Sequence, residues 1–237
     1  MKTAHTSSPA ITTEPTALRA SSLAYGLTRI VADLIVPFIV RLRTEGIENI
    51  PSSGPVIMAM NHIHWLDIPL ASLRVPRLTH YMAKAELFEA PVLGGFIRKV
   101  GAFAVRRGEG DREALRTGEL LLAKGEIVVI FPEGHRSGTG VLLKAHPGAG
   151  YIAMRTGAPV VAVAISGTQK AFKKFRPTVT IRYSRPFVIR QSGDRRTRDS
   201  LSQATDQIMY QIAALLPPEA RGPYGDTVPA EAASLTD

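Results

Sequence analysis

The sequence predicts an α/β layered fold with a mostly buried central sheet flanked by helices and preceded by an N-terminal helical segment. Three observations predict it. Continuous apolar runs at Val56 to Met60, Ile127 to Phe131 and Val160 to Ile165 read as strands buried on both faces, since a half-exposed strand would alternate. Helical patterns separate the runs, the order expected of helices layered on a sheet. Each run also stops at polar or turn-forming residues, Asn61, Pro132 and Ser166-Gly167, where sites in such folds commonly lie.

In chain order, residues 1–19, rich in Thr, Ser and Pro, read as a flexible tail without the apolar segment of a secretory signal. Residues 20–43 read as one long helix or two shorter ones, because Pro37 can kink or divide it. Leu23, Leu27, Ile30, Val31, Leu34, Ile35, Phe38 and Ile39 form its apolar stripe, which fits either packing on the core or lying in a lipid headgroup layer. Arg29, Asp33 and Pro37 interrupt it, so no uncharged run of about eighteen apolar residues marks a membrane span.

Residues 44–215 read as the main domain. Strands are expected at Val56 to Met60, Ala102 to Val105, Ile127 to Phe131, Val160 to Ile165 and Val179 to Tyr183. Helices are expected at Ile68 to Leu73, Asp111 to Ala123, Gly148 to Thr156 and Ser200 to Leu215, the second ending into Lys124-Gly125. Residues 216–237, rich in Pro, Ala and Gly, read as a second flexible tail.

Composition narrows the chemistry. A 45% hydrophobic and 21% charged chain of 237 residues supports a sizeable core and excludes wholesale disorder or a fibrous repeat. Cysteine is absent, which excludes disulfides, a thiol nucleophile and cysteine-ligated metal. The net charge of +9 attracts anions, whether nucleic acid, an acidic lipid surface or a phosphate-bearing substrate. No phosphate-loop or dinucleotide fingerprint and no Gly-x-Ser-x-Gly elbow occurs.

Three constellations could carry chemistry. In Asn61-His62-Ile63-His64-Trp65-Leu66-Asp67, the histidine and aspartate would be about 140° apart on a straight helix, so pairing them needs a turn after His62. With that turn, Asp67 fixes the imidazole tautomer and His62 Nε2 can take a proton from a hydroxyl. A satisfied structural histidine with an aspartate helix cap fits the same residues, and His64 keeps a metal site open. In Phe131 to Gly138, Arg136 is a forked phosphate donor, Glu133 can accept from a substrate hydroxyl and Gly134 permits close approach. A plain glycine-rich turn is the competing reading. In Gly101 to Gly108, Arg106 and Arg107 are either a solvated face or an anion clamp. A further basic run, Lys170, Lys173, Lys174 and Arg176, encloses Phe172 and Phe175 and suits lipid headgroups or a nucleic-acid backbone.

Taken in order, these segments resemble the lysophosphatidic acid acyltransferase family of glycerolipid enzymes. His62 through Asp67 is similar to its histidine, four residues, aspartate block, Gly101 through Arg106 to the second block, and Phe131 through Ser137 to the third. Ala158 to Ile165 resembles the fourth, a proline followed by an apolar strand. The likeness covers roughly residues 20–210, with His64 and His135 where the family commonly has serine and threonine.

The resemblance implies a 1-acylglycerol-3-phosphate O-acyltransferase. His62 is then the base and Asp67 its partner. Arg106, Arg107, Glu133, Gly134 and Arg136 bind the acceptor phosphate region, with Asn61, His64 and His135 beside them. It implies acyl-CoA or acyl-carrier protein as donor, a lysophospholipid acceptor and no metal or other cofactor. It further implies attachment to the cytoplasmic face of a membrane, peripheral or monotopic, at an anionic surface and without nucleic acid. A relative acylating a glycolipid, an ornithine-type lipid or glycerol 3-phosphate is the alternative. A basic nucleic-acid-binding protein or a non-catalytic scaffold is a remote one.

Overall fold

The computed structural model describes residues 21–72, 74–105, 112–189 and 197–225. The N-terminal helix α1 spans Ser22–Ile39, with Ser21 Oγ accepting from Ala24 N at 3.3 Å as its cap. Pro37 lies inside this single helix. The chain then turns extended at Val40 and forms strand β1, Arg41–Glu45, where the sequence predicts a helix continuing to residue 43. β1 alternates exposed and half-buried residues and is an edge strand, so its charges read as a polar helix end.

The remaining strands are β2 (Val56–Met60), β3 (Thr79–Lys84), β4 (Ala102–Val105), β5 (Ile127–Ile130), β6 (Val160–Ser166) and β7 (Thr178–Tyr183). The helices are α2 (Asp67–Ser72), α3 (Pro91–Lys99), α4 (Arg112–Ala123), α5 (Gly148–Thr156) and α6 (Arg198–Leu215). The seven strands form one sheet in the order β1-β7-β6-β2-β5-β3-β4. All neighbours pair parallel except β6 and β7. The expected α/β architecture is therefore present, with a mixed sheet flanked by helices.

Two cores cover the two faces. Along β2, Ile57 and Ala59 enter one with α4, α5 and α6, while Val56, Met58 and Met60 enter the other beneath α1, α2 and α3. This division explains why β2 is apolar without interruption. Residues Leu216 to Gly225, expected as tail, instead pack on the first core. There Tyr224 is buried and its hydroxyl accepts from Ala145 N at 3.0 Å. Residues 226–237 lie outside the described residues.

Helices α5 and α6 meet at Gly150, whose N–H donates to Thr205 Oγ1 at 3.2 Å. A Cβ there would lie 2.5 Å from Thr205 Oγ1 and 2.6 Å from Leu201 O. Because one obstacle is backbone, Gly150→Ala should lower stability by about 1–3 kcal/mol. A thermal melt checks this; an unchanged midpoint contradicts the close packing.

α1 is unlike the other helices. It is 18 residues long with a mean hydropathy of 1.5, long and apolar enough by those measures to cross a membrane despite Arg29 and Asp33. Only Tyr25 is buried, and Leu23, Leu27, Ile30, Leu34 and Phe38 are all exposed. Tyr25 and the ion pair between Arg74 and Asp33, 3.2 Å, tie the helix to the α2 region.

Candidate active site

The site lies at the C-terminal ends of the central strands β6, β2 and β5, where polar groups leave a buried sheet. Asn61 follows β2 directly. Its side chain donates from Nδ2 to Ile165 O at 3.0 Å and accepts from Ile165 N at Oδ1, 2.8 Å. It thus extends the β2–β6 ladder by one residue and fixes where the chain turns away.

The turn after His62 occupies residues 63–66, and α2 begins at Asp67 itself. Asp67 Oδ2 accepts three donors: Ile63 N at 2.6 Å, His64 N at 2.7 Å and His62 Nδ1 at 2.9 Å. Asp67 is fully buried, and those two main-chain donors compensate its charge. They also require an acceptor at that oxygen, which makes His62 Nδ1 the protonated nitrogen and leaves Nε2 as the basic one. The imidazole stacks on Phe131, centroids 4.2 Å apart. Phe131 was legible in the third block, but its contact with His62 was not.

Glu133 is also buried, and each of its oxygens accepts a main-chain hydrogen bond. Oε1 accepts from His62 N and Oε2 from Leu143 N, each at 2.8 Å. Glu133 therefore latches the β5 loop to the backbone of the histidine, while its expected role toward a substrate hydroxyl rests on the sequence alone. Ser137 N completes the latch by donating to His62 O at 2.8 Å. Burial pushes the Glu133 carboxyl up from the ordinary carboxylate range, and the two amide donors oppose that. Glutamine offers only one acceptor oxygen, so Glu133→Gln should set an amide NH₂ against a main-chain N–H. The expected cost is about 1–3 kcal/mol of stability, read as a lowered urea midpoint; no change would contradict the double latch.

Gly134 has φ +71 and a Cβ there would meet His146 Cδ2 at 2.9 Å, so the tight turn after Glu133 needs glycine. His135 and Arg136 are exposed beyond it. His64 is half-buried, and burial, then Arg136 and Lys173 among its neighbours, hold its imidazole below the ordinary range against the pull of Asp67. Among the described residues no three of His, Cys, Asp and Glu gather as a metal site. Arg106 and Arg107, together with residues 108–111, lie outside the described residues.

His62 and Arg136 share the lining of one cavity of about 620 Å³. Its walls come from α1 (Tyr25, Thr28), α2 (Ile68, Pro69), β3 (Tyr81, Met82) and α3 (Leu93, Phe96, Ile97), with Trp65 and Phe131 near the histidine. Most of that wall was not legible in the sequence. β3 carries Thr79 and His80 inside a buried strand, and α3 holds two adjacent glycines, so neither matches a simple pattern. A separate hollow among Glu45, Arg182, Arg185 and Arg221 contains none of the site residues.

The chain is similar to known proteins in sequence and fold. The acyltransferase family matches residues 41–166. A 1-acyl-sn-glycerol-3-phosphate acyltransferase of Bacillus subtilis is 37% identical over 130 residues, 54% of this chain and 64% of that protein. A lyso-ornithine lipid O-acyltransferase of Pseudomonas aeruginosa is 35% identical over 153 residues, 64% of this chain and 55% of that protein. The chain thus spans less than two thirds of the length of either. The crystal structure of the 1-acyl-sn-glycerophosphate (LPA) acyltransferase PlsC from Thermotoga maritima superposes with a TM-score of 0.60 at 26% identity, covering 78% of this chain and 75% of that one.

Proposed function

The chain belongs to the glycerolipid acyltransferase family, and we propose that it transfers a fatty acyl group from a thioester to the free hydroxyl of 1-acyl-sn-glycerol 3-phosphate, giving phosphatidate. The observation that carries this reading is the His62–Asp67 pair, 2.9 Å apart, with its imidazole lining an apolar cavity that Arg136 also reaches.

In the proposed reaction His62 Nε2 takes the acceptor's hydroxyl proton as its oxygen attacks the thioester carbonyl. Asp67 stabilises the imidazolium that forms. The tetrahedral adduct collapses, the carbon–sulfur bond breaks, and the proton passes from Nε2 to the leaving thiolate. No acyl-enzyme is needed. The apolar cavity suits a hydrocarbon chain, while Arg136 supplies a forked donor for an acceptor phosphate, helped by Arg106 and Arg107. His135 and His64 flank that acceptor region. Acyl-CoA or acyl-carrier protein is the donor in this reading.

The exposed apolar face of α1 supports attachment to the cytoplasmic surface of a membrane as a peripheral or monotopic protein, with α1 lying in the interface. A 20–43 segment ahead of a 44–215 catalytic domain belongs to this proposal, amended in that β1 begins at Arg41 and residues 216–225 pack on the core.

The likeness to the lyso-ornithine lipid enzyme favours one second reading, acylation of a lyso-ornithine lipid. A competition between lysophosphatidate and lyso-ornithine lipid, with products identified by mass spectrometry, separates the two. Phosphatidate as the dominant product is expected, and a dominant ornithine lipid overturns the choice of acceptor while leaving the chemistry intact.

A further inference from the structure

The β6–β7 connection carries residues that the proposed reaction does not use. Lys170, Lys173, Lys174 and Arg176 surround Phe172 and Phe175 there. Phe172 has φ +63 and Arg176 φ +45, in the left-handed region that residues with a Cβ avoid. The loop keeps this costly backbone and still leaves both rings in water, Phe172 65% and Phe175 91% exposed. Phe172 stacks on Trp65, with centroids 6.1 Å apart and planes 11° from parallel, and Trp65 is itself 54% exposed. Trp65 stands three residues after His62 and lines the same cavity.

This aromatic and cationic loop precedes the strand that pairs with β1, which follows α1 directly. Two residues beyond α1, Arg41 N of β1 donates to Pro177 O at 2.9 Å, next to the end of this loop. Leu34 and Phe38, near that end of α1, are exposed apolar residues as well. Aromatic rings seat at the headgroup level of a bilayer, and lysines beside them meet acidic headgroups. A nucleic acid would match the lysines and rings, but it offers nothing to the aliphatic face of α1. We propose that the 170–176 loop and Trp65 form a second membrane contact, distinct from α1, that docks the cavity mouth against an anionic bilayer. This goes beyond the reaction proposed above and holds whichever acceptor is used.

The chain contains a single tryptophan, so its emission reports on this surface directly. The full chain is mixed with phosphatidylcholine vesicles, with and without phosphatidylglycerol, whose acyl chains carry bromine. Trp65 emission should shift to the blue and be quenched on the anionic vesicles. Vesicle-bound protein with unquenched, water-exposed Trp65 means that α1 alone anchors the chain, and overturns the proposal without any variant. Phe175→Ser should weaken partition about tenfold. Lys174→Ala should weaken it roughly fivefold, on anionic vesicles only. Unchanged partition of both variants, with parental melting midpoints, also overturns it. So does loss of duplex oligonucleotide binding in the variants while vesicle partition persists, which reassigns the surface to nucleic acid.

Discussion

His62→Ala should lose about 10³-fold or more of the thioester-dependent acylation rate and remain folded. The proposed step has one base, and Nε2 of His62 is the imidazole nitrogen left free by the Asp67 contact. Alanine removes that base but spares the main-chain bonds that organise the loop, His62 N to Glu133 and Ser137 N to His62 O. The truncation still leaves Asp67 its two amide donors, so the expected stability loss is modest, about 1–3 kcal/mol. Rates measured under single turnover, alongside circular dichroism and a melt, separate chemistry from unfolding. A folded variant within tenfold of the parent contradicts the assignment of His62 as base.

The second large effect concerns Asp67, where two substitutions should part company. Asp67→Ala leaves Ile63 N, His64 N and His62 Nδ1 without their shared acceptor inside a buried site. It should cost about 3 kcal/mol or more of stability and nearly all activity. Asp67→Asn is different because all three donors converge on Oδ2, while Oδ1 is buried without a protein partner among the described residues. The asparagine oxygen can take the Oδ2 position, and the two main-chain N–H groups hold it in that orientation. The fold and the His62 tautomer are then kept, and only the negative charge behind the imidazolium is lost. The expected result is a stability loss of less than about 2 kcal/mol, with a rate reduced about 10²-fold or more. Equal unfolding of both variants, or an Asp67→Asn enzyme at full rate, contradicts this account of the carboxylate.

How far the residues themselves announce this arrangement differs from place to place. β2, β5 and β6 are legible because strands buried on both faces must be apolar throughout, and the α5 boundaries at Gly148 and Thr156 follow from the turn residues around them. β3 is not, since Thr79 and His80 are polar and buried; their neighbours Tyr25 and Glu126 come from distant parts of the chain. α3 is hidden by Gly94, whose missing Cβ admits the Phe88 carbonyl at what would be 2.4 Å. The spacing of His62 and Asp67 indicates that they need a turn to meet, yet the convergence of three donors on one oxygen is a three-dimensional fact. Glu133 shows the limit most clearly. Its residue type and loop position suit substrate binding, and only the burial of both oxygens against main-chain amides reveals the latch.

The measurement that tests the central claim most directly is thiol release from acyl-CoA or acyl-carrier protein by the purified full chain in vesicles, with and without lysophosphatidate. Direct transfer through the His62–Asp67 pair requires that thiol appear only when acceptor is present, in one-to-one yield with phosphatidate and with no acyl group left on the protein. A folded chain that forms no acylated lipid from either donor, or that releases thiol without acceptor and gains the mass of an acyl group, contradicts it.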